Sequence, residues 1–115
     1  LAKVGNAYVI AGRTTEGIQA LRKALQIDPN DSLVALCLAN ALYEERQLRE
    51  AALYARRAVR LNPNDPMPYD VLGRVLGVQG HVAEAAKQFE QALRIDPTFA
   101  DAQNNLNALR ELGVR

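Results

Sequence analysis

Proline stands at residues 29, 63 and 97, at an interval of 34 both times (63 − 29 = 34; 97 − 63 = 34). Each proline closes a near-copy of one phrase: residues 24–29 read ALQIDP, 58–63 read AVRLNP and 92–97 read ALRIDP. A fixed period of this length marks a solenoid of stacked helical hairpins, in which each unit buries its apolar face only against its neighbours. Hydrophobic residues make up 49% of the 115, enough for such a stack to bury a sizeable core.

Aligned at that period, the chain falls into columns. One reads Val4, Leu38, Leu72, Leu106, and the next Gly5, Ala39, Gly73, broken by Asn107. Others are Tyr8, Leu42, Leu76; Glu16, Glu50, Glu84; Gly17, Ala51, Ala85; Leu21, Ala55, Phe89; and Ala24, Ala58, Ala92. Within a repeat the apolar residues recur at helical spacing, as at Ala51, Ala55, Ala58, Val59 and Leu61. Small residues at Gly5, Ala39 and Gly73, opposed by Gly17, Ala51 and Ala85, are expected to let two helices approach closely. Leu21 and Phe89 fill the space beside them.

This pattern resembles the tetratricopeptide repeat, a helix–turn–helix unit of 34 residues. The resemblance covers the whole chain, because small columns, large columns and the closing proline agree in three successive copies. It implies an all-α, right-handed α-solenoid of about seven helices, forming one domain over 1–115. In that frame 1–31 is a truncated repeat, 32–65 and 66–99 are complete, and 100–112 is a final or capping helix. The chain opens at Leu1, already inside a repeat, and is expected to be a fragment of a longer protein. First helices are expected over about 1–11, 32–45, 66–79 and 99–112, and second helices over about 15–27, 49–61 and 83–95.

Local signals support these boundaries. Pro66 suits a first helical turn, where its missing N–H costs nothing, and Asp65 is placed to cap it. Thr98, followed by Asp101, is the expected cap of the last helix. Gly12 and Gly80 fall in the turn inside each repeat, where a positive φ is cheap for glycine. Arg46 occupies the same column, and a left-handed arginine costs about 1 kcal/mol, so a rearranged turn is expected there. The aromatic residue that often opens a first helix in the family is matched well only by Tyr69. In the last helix Gln103, Asn104, Asn105, Asn107 and Arg110 replace apolar residues of earlier copies, as suits a wet terminal face.

Other functional classes find little support. A net charge of +1 is too balanced to announce nucleic acid or an anionic membrane. Arginines at 46, 49, 56, 57 and 60 form a basic edge, but the total is not strongly basic and Glu44, Glu45 and Glu50 offset it, partly through helix pairs. No apolar run approaches ~18 residues, so direct membrane insertion is not expected, and no signal peptide is recognisable. One cysteine permits neither an internal disulfide nor a cysteine metal cage, and no cofactor or metal spacing appears. Ser32 and His81 belong to opposite ends of first helices, roughly 20 Å apart at 1.5 Å per residue, so they cannot form a nucleophile–base pair. Cys37 is expected to be a small buried hydrophobe. The chain is therefore not expected to be an enzyme.

The resemblance places first helices on the concave face, with inward columns Leu33, Met67; Ala2, Leu36, Asp70, Asn104; Asn6, Asn40, Arg74, Ala108; and Val9, Tyr43, Gly77, Glu111. Helical spacing agrees, since 33, 36, 40 and 43 form one stripe and 67, 70, 74 and 77 another. The core is already supplied by 38, 39, 42 and by 72, 73, 76, so the second stripe is left facing out. The candidate groove is Asn6, Leu33, Leu36, Asn40, Tyr43, Met67, Asp70 and Arg74, with a protein or peptide as partner. Some tetratricopeptide domains grip the C-terminal carboxylate of heat-shock chaperones with lysines, an arginine and asparagines. Here Asn6 matches one asparagine, but the lysine places hold Ala2 and Met67, the arginine place Val71 and the other asparagine place Cys37. A shift by one repeat keeps Asn40 and offers Leu36, Asp101 and Asn105 elsewhere, so the clamp is not expected in either register. The implied function is a non-catalytic interaction scaffold binding a peptide or helix. The alternative is an accessory domain of a larger enzyme or secretion or assembly machine that recruits substrate or self-associates through repeat ends.

Overall fold

The computed structural model describes residues 14–114, with side chains through Leu112. Among them are six helices and no strand: α1 (Thr14–Ile27), α2 (Ser32–Glu44), α3 (Leu48–Leu61), α4 (Pro66–Val78), α5 (Val82–Ile95) and α6 (Ala100–Val114). The helix expected over about 1–11, with Gly12, lies outside the described residues. Each helix packs on its sequence neighbours, and beyond these α2 meets α4 and α4 meets α6. The result is an all-α solenoid, elongated at 42 × 26 × 21 Å.

The repeat columns become the core. Leu38, Leu72 and Leu106 are buried, as are Leu42 with Leu76 and the small column Gly17, Ala51, Ala85. The expected fit of small against large is seen directly at Gly73. A Cβ there would lie 2.6 Å from Phe89 Cε1 and 2.8 Å from Cζ, so the ring fills the space that glycine leaves. In the preceding repeat the equivalent positions are Ala39 and Ala55, both fully buried, and two medium-small side chains replace the extreme pair.

Turn chemistry sets the helix ends. Asp31 Oδ1 accepts from Leu33 N at 3.1 Å and Val34 N at 3.2 Å. Asp65 Oδ1 accepts from Met67 N at 3.0 Å, with Pro66 opening the helix behind it. Both aspartates satisfy backbone donors that the first turn leaves free. Tyr69 ties α4 to the preceding loop, its hydroxyl donating to the Pro63 carbonyl at 3.0 Å. The Thr98 expectation fails. Its hydroxyl and N–H donate to Asp96 Oδ1, at 2.7 and 3.0 Å, so Thr98 closes a turn ahead of α6 instead of capping it.

The turn at Arg46 is not rearranged. Arg46 takes φ 62° and Gly80 takes φ 90°. Matching bonds close both turns: Arg46 N to Tyr43 O (3.0 Å) and Gln47 N to Leu42 O (2.8 Å); Gly80 N to Gly77 O (3.1 Å) and His81 N to Leu76 O (2.9 Å). This is a Schellman closure, and its paired hydrogen bonds hold arginine where glycine would be cheaper. The expected offset of the basic edge by pairs within one helix is also corrected. Glu50 instead takes Arg22 of α1 at 2.6 Å, across the repeat boundary.

Gly73→Ala tests the close approach. Alanine is the better helix former by about 1 kcal/mol, yet the buried Phe89 ring blocks its methyl. The expected result in urea unfolding is a net loss of roughly 1–3 kcal/mol. In a Phe89→Leu background the same change is expected to be neutral or stabilising.

Candidate functional site

The first helices among the described residues, α2, α4 and α6, run parallel and in register. Two side-chain bonds show this: Arg74 Nη2 donates to Asn40 Oδ1 at 3.3 Å, and Asn105 Nδ2 to Asp70 Oδ1 at 2.9 Å, each joining positions about one repeat apart. Between these helices opens a cavity of about 630 Å³. Its α2 wall is Leu36, Cys37, Asn40 and Glu44. The floor, from α4, is Met67, Asp70, Val71 and Arg74, and α6 closes the far side with Asp101, Asn104 and Asn105.

The eight candidate residues divide on this geometry. Leu36, Asn40, Met67, Asp70 and Arg74 line the cavity. Leu33 does not; it is 64% exposed at the start of α2. Tyr43 is also outside the lining and sits between two guanidinium groups, Arg74 at 5.3 Å and Arg46 at 5.9 Å from its ring centre. It therefore acts on the groove through Arg74, by stacking. Asn6 lies outside the described residues, as do Ala2 and Val9.

Asp70 departs from the expectation of an outward-facing groove residue, being only 2% exposed. Asn105 of α6 covers and hydrogen-bonds it, while Arg74 Nε lies 3.4 Å from the other oxygen. That second contact is an ion pair without a hydrogen bond, since Arg74 Nε has no hydrogen-bond partner among the described residues. Burial lifts the Asp70 carboxyl above the ordinary aspartate range. The Asn105 bond and the Arg74 charge pull it back in part, and Asp101 pushes it up again.

Cys37 departs as well. It is half-buried and lines the cavity instead of vanishing into the core. Burial, with Asp31 adding to it, pushes its thiol up, which keeps the sulfur protonated. Cys37, Val71 and Asn105 form one column that the groove frame omitted. The signal was present in the sequence, because these are positions where the chaperone clamp keeps an asparagine and an arginine. Asp101 carried a signal too, since it stands one repeat after Met67 in the groove column of Leu33 and Met67, whereas Glu44 belongs to none of the inward columns. Among the described residues no group of three or more His, Cys, Asp or Glu is arranged to hold a metal ion. None of the described helices is long and apolar enough to cross a membrane.

Comparison with known proteins agrees with this architecture. A tetratricopeptide repeat family model matches residues 8–75, and a second matches 66–99. The chain belongs to the tetratricopeptide repeat family. Among solved structures it is similar to the first TPR of Spaghetti (RPAP3) bound to the HSP90 peptide SRMEEVD. That match has a TM-score of 0.95 and 24% identity, over 99% of this chain and 90% of that one. The second TPR domain of human RPAP3, in complex with the HSP70 peptide SGPTIEEVD, matches at TM-score 0.90 and 20% identity, over 94% and 90%. The Arabidopsis OM64 TPR domain matches at 0.93 and 19%, over 96% and 91%. A comparison with curated protein sequences gave no match.

The desolvated Asp70 has a signature in stability. With its folded pKa above the unfolded value, the folded state holds more protons in the interval between the two. Its contribution therefore falls as pH rises through that interval. Urea titrations of the parent and Asp70→Asn from pH 4 to 8 are expected to give a difference curve in which the parent loses ground with rising pH. A curve of the opposite slope would mean that Asn105 and Arg74 outweigh burial.

Proposed function

We propose that this chain is a non-catalytic interaction scaffold that holds a peptide or helical segment of another protein in the groove of α2, α4 and α6. The observation that carries the reading is the cavity itself. Its apolar lining, Leu36, Met67 and Val71, stands beside amides that retain hydrogen-bonding capacity. Among the described residues Asn40 is engaged only through its oxygen, toward Arg74, and its NH2 has no partner there. Asn104 is exposed on the far wall. Apolar lining residues beside amide donors and acceptors suit a peptide, whose side chains need burial and whose backbone needs partners. Two structural neighbours, solved with chaperone peptides, support the same class of ligand.

The groove sits on helices packed from behind, so a ligand meets a rigid surface and association has little ordering of the scaffold to overcome. Leu36 and Met67 are half-exposed and exposed, so trimming them removes contact area without emptying the core. Peptides selected from a random displayed library on the 115-residue protein provide the ligand. Leu36→Ala and Met67→Ala are each expected to weaken such a peptide by roughly 1–2 kcal/mol in calorimetric titration, with helical content unchanged. Arg57→Ala, which removes a side chain stacked on Tyr54 away from the cavity, is expected to have no effect. Binding lost in Arg57→Ala and kept in both groove variants would place the partner on the other face.

A further inference from the structure

The groove carries one-sided charge. Among the described residues three carboxylates line it, Glu44, Asp70 and Asp101, against one cation, Arg74, a net of two negative charges (1 − 3 = −2). The Arg74–Asp70 pair is loose at 3.4 Å, and the guanidinium also serves Asn40 and the Tyr43 ring. The whole chain is +1, so this negative potential is a local concentration and not the mark of an acidic protein. The opposite charge sits elsewhere: Arg49, Arg56 and Arg60 are exposed on α3, which contributes nothing to the cavity.

The placement of the carboxylates gives a spacing. Glu44 ends α2 and Asp101 lies in the first turn of α6; both are exposed. One repeat away in register, Glu44 corresponds to Val78 and Asp101 to Met67, so the two acids differ in level by 11 residues (78 − 67). At 1.5 Å per residue that is about 16 Å along the helices, and with the two acids on opposite walls, two interaxial spacings of about 8–10 Å apart, the total separation is roughly 24 Å. Leu36, Val71 and Met67 lie between them, and Asp70 stands beneath. An extended chain covers about 16 Å in five residues, and long cationic side chains at its two ends reach outward to bridge the remainder to the carboxylates on opposite walls.

We propose that the groove selects an extended peptide segment with two cationic side chains, arginine or lysine, flanking an apolar stretch of about four residues, and that it disfavours acidic peptides. The inference rests on the groove reading above and adds to it the sign and spacing of the ligand's charge. The cations meet Glu44 and Asp101 at the rims, the apolar residues meet the floor, and Asp70 contributes field from below. A focused potential of this kind selects among partners by charge, more than it adds raw affinity.

The test is fluorescence anisotropy with the 115-residue protein and three labelled peptides. One is acetylated and amidated, with arginines flanking four leucine and methionine residues; its twin carries glutamates in place of the arginines; the third is SRMEEVD. The arginine peptide is expected to bind at least about ten-fold tighter than either acidic one, with the preference shrinking as salt rises. The double variant Glu44→Lys/Asp101→Lys alters only exposed residues, and circular dichroism checks its helices. It is expected to reverse the order of the twin peptides. Equal binding of the twins, tighter binding of SRMEEVD, or an unchanged preference in the double variant overturns the proposal. Failure of both twins to bind overturns it too. In that case library-selected peptides that remain sensitive to Leu36→Ala and Met67→Ala would still uphold the groove reading, so the two failures are distinguishable.

Discussion

The close approach of paired helices underlies everything else in this molecule. At α4–α5 it is achieved by the absence of a side chain, with the Phe89 ring occupying the place of a Gly73 methyl. At α2–α3 the buried alanines Ala39, Ala51 and Ala55 serve the same purpose. Packing of this density leaves helices little freedom to slide. It fixes each first helix against its second helix along one stripe, and the adjoining stripe is released to face the next repeat and the solvent. A groove between first helices follows from that division of labour, and its walls are as rigid as the packing behind them.

Polar contacts then set the register of the walls. Asn40 with Arg74, and Asn105 with Asp70, link equivalent levels of successive repeats at 3.3 and 2.9 Å. On an apolar interface neighbouring helices could shift by a turn at little cost; a buried carboxylate with a required donor cannot follow such a shift without losing its partner. Asp70 is therefore a costly residue that specifies. It is held above its ordinary pKa by burial, it keeps α6 aligned with α4, and it makes the cavity floor negative. Arg74 is divided among Asp70, Asn40 and the face of Tyr43, so it organises the wall more than it neutralises it.

Much of the fold was legible in the chain because a repeat states its pattern several times. The buried column of Leu38, Leu72 and Leu106 and the turns at Arg46 and Gly80 were readable by position alone. What failed were inferences from residue type at a single position. Arg46 was expected to disturb its turn, but two hydrogen bonds outweigh about 1 kcal/mol of backbone strain. Thr98 was expected to cap, but its hydroxyl donates to Asp96 instead. Of the groove residues, Leu36, Asn40, Met67, Asp70 and Arg74 meet at one cavity, while Leu33 lies beyond its edge and Tyr43 behind Arg74.

By itself the sequence determined the architecture: a period of 34, small residues facing small or large ones, and helix-ending prolines admit one way of stacking. Those are local constraints between neighbours in a nearly one-dimensional array, and they repeat. Only the tertiary structure decided the groove's electrostatic character. Whether Asp70 faces water or is covered by Asn105, and whether Glu44 and Asp101 share a cavity with it, depends on how far each repeat rotates against the last. That rotation is the summed result of many side-chain contacts across α2, α4 and α6. No single column of the repeat encodes it.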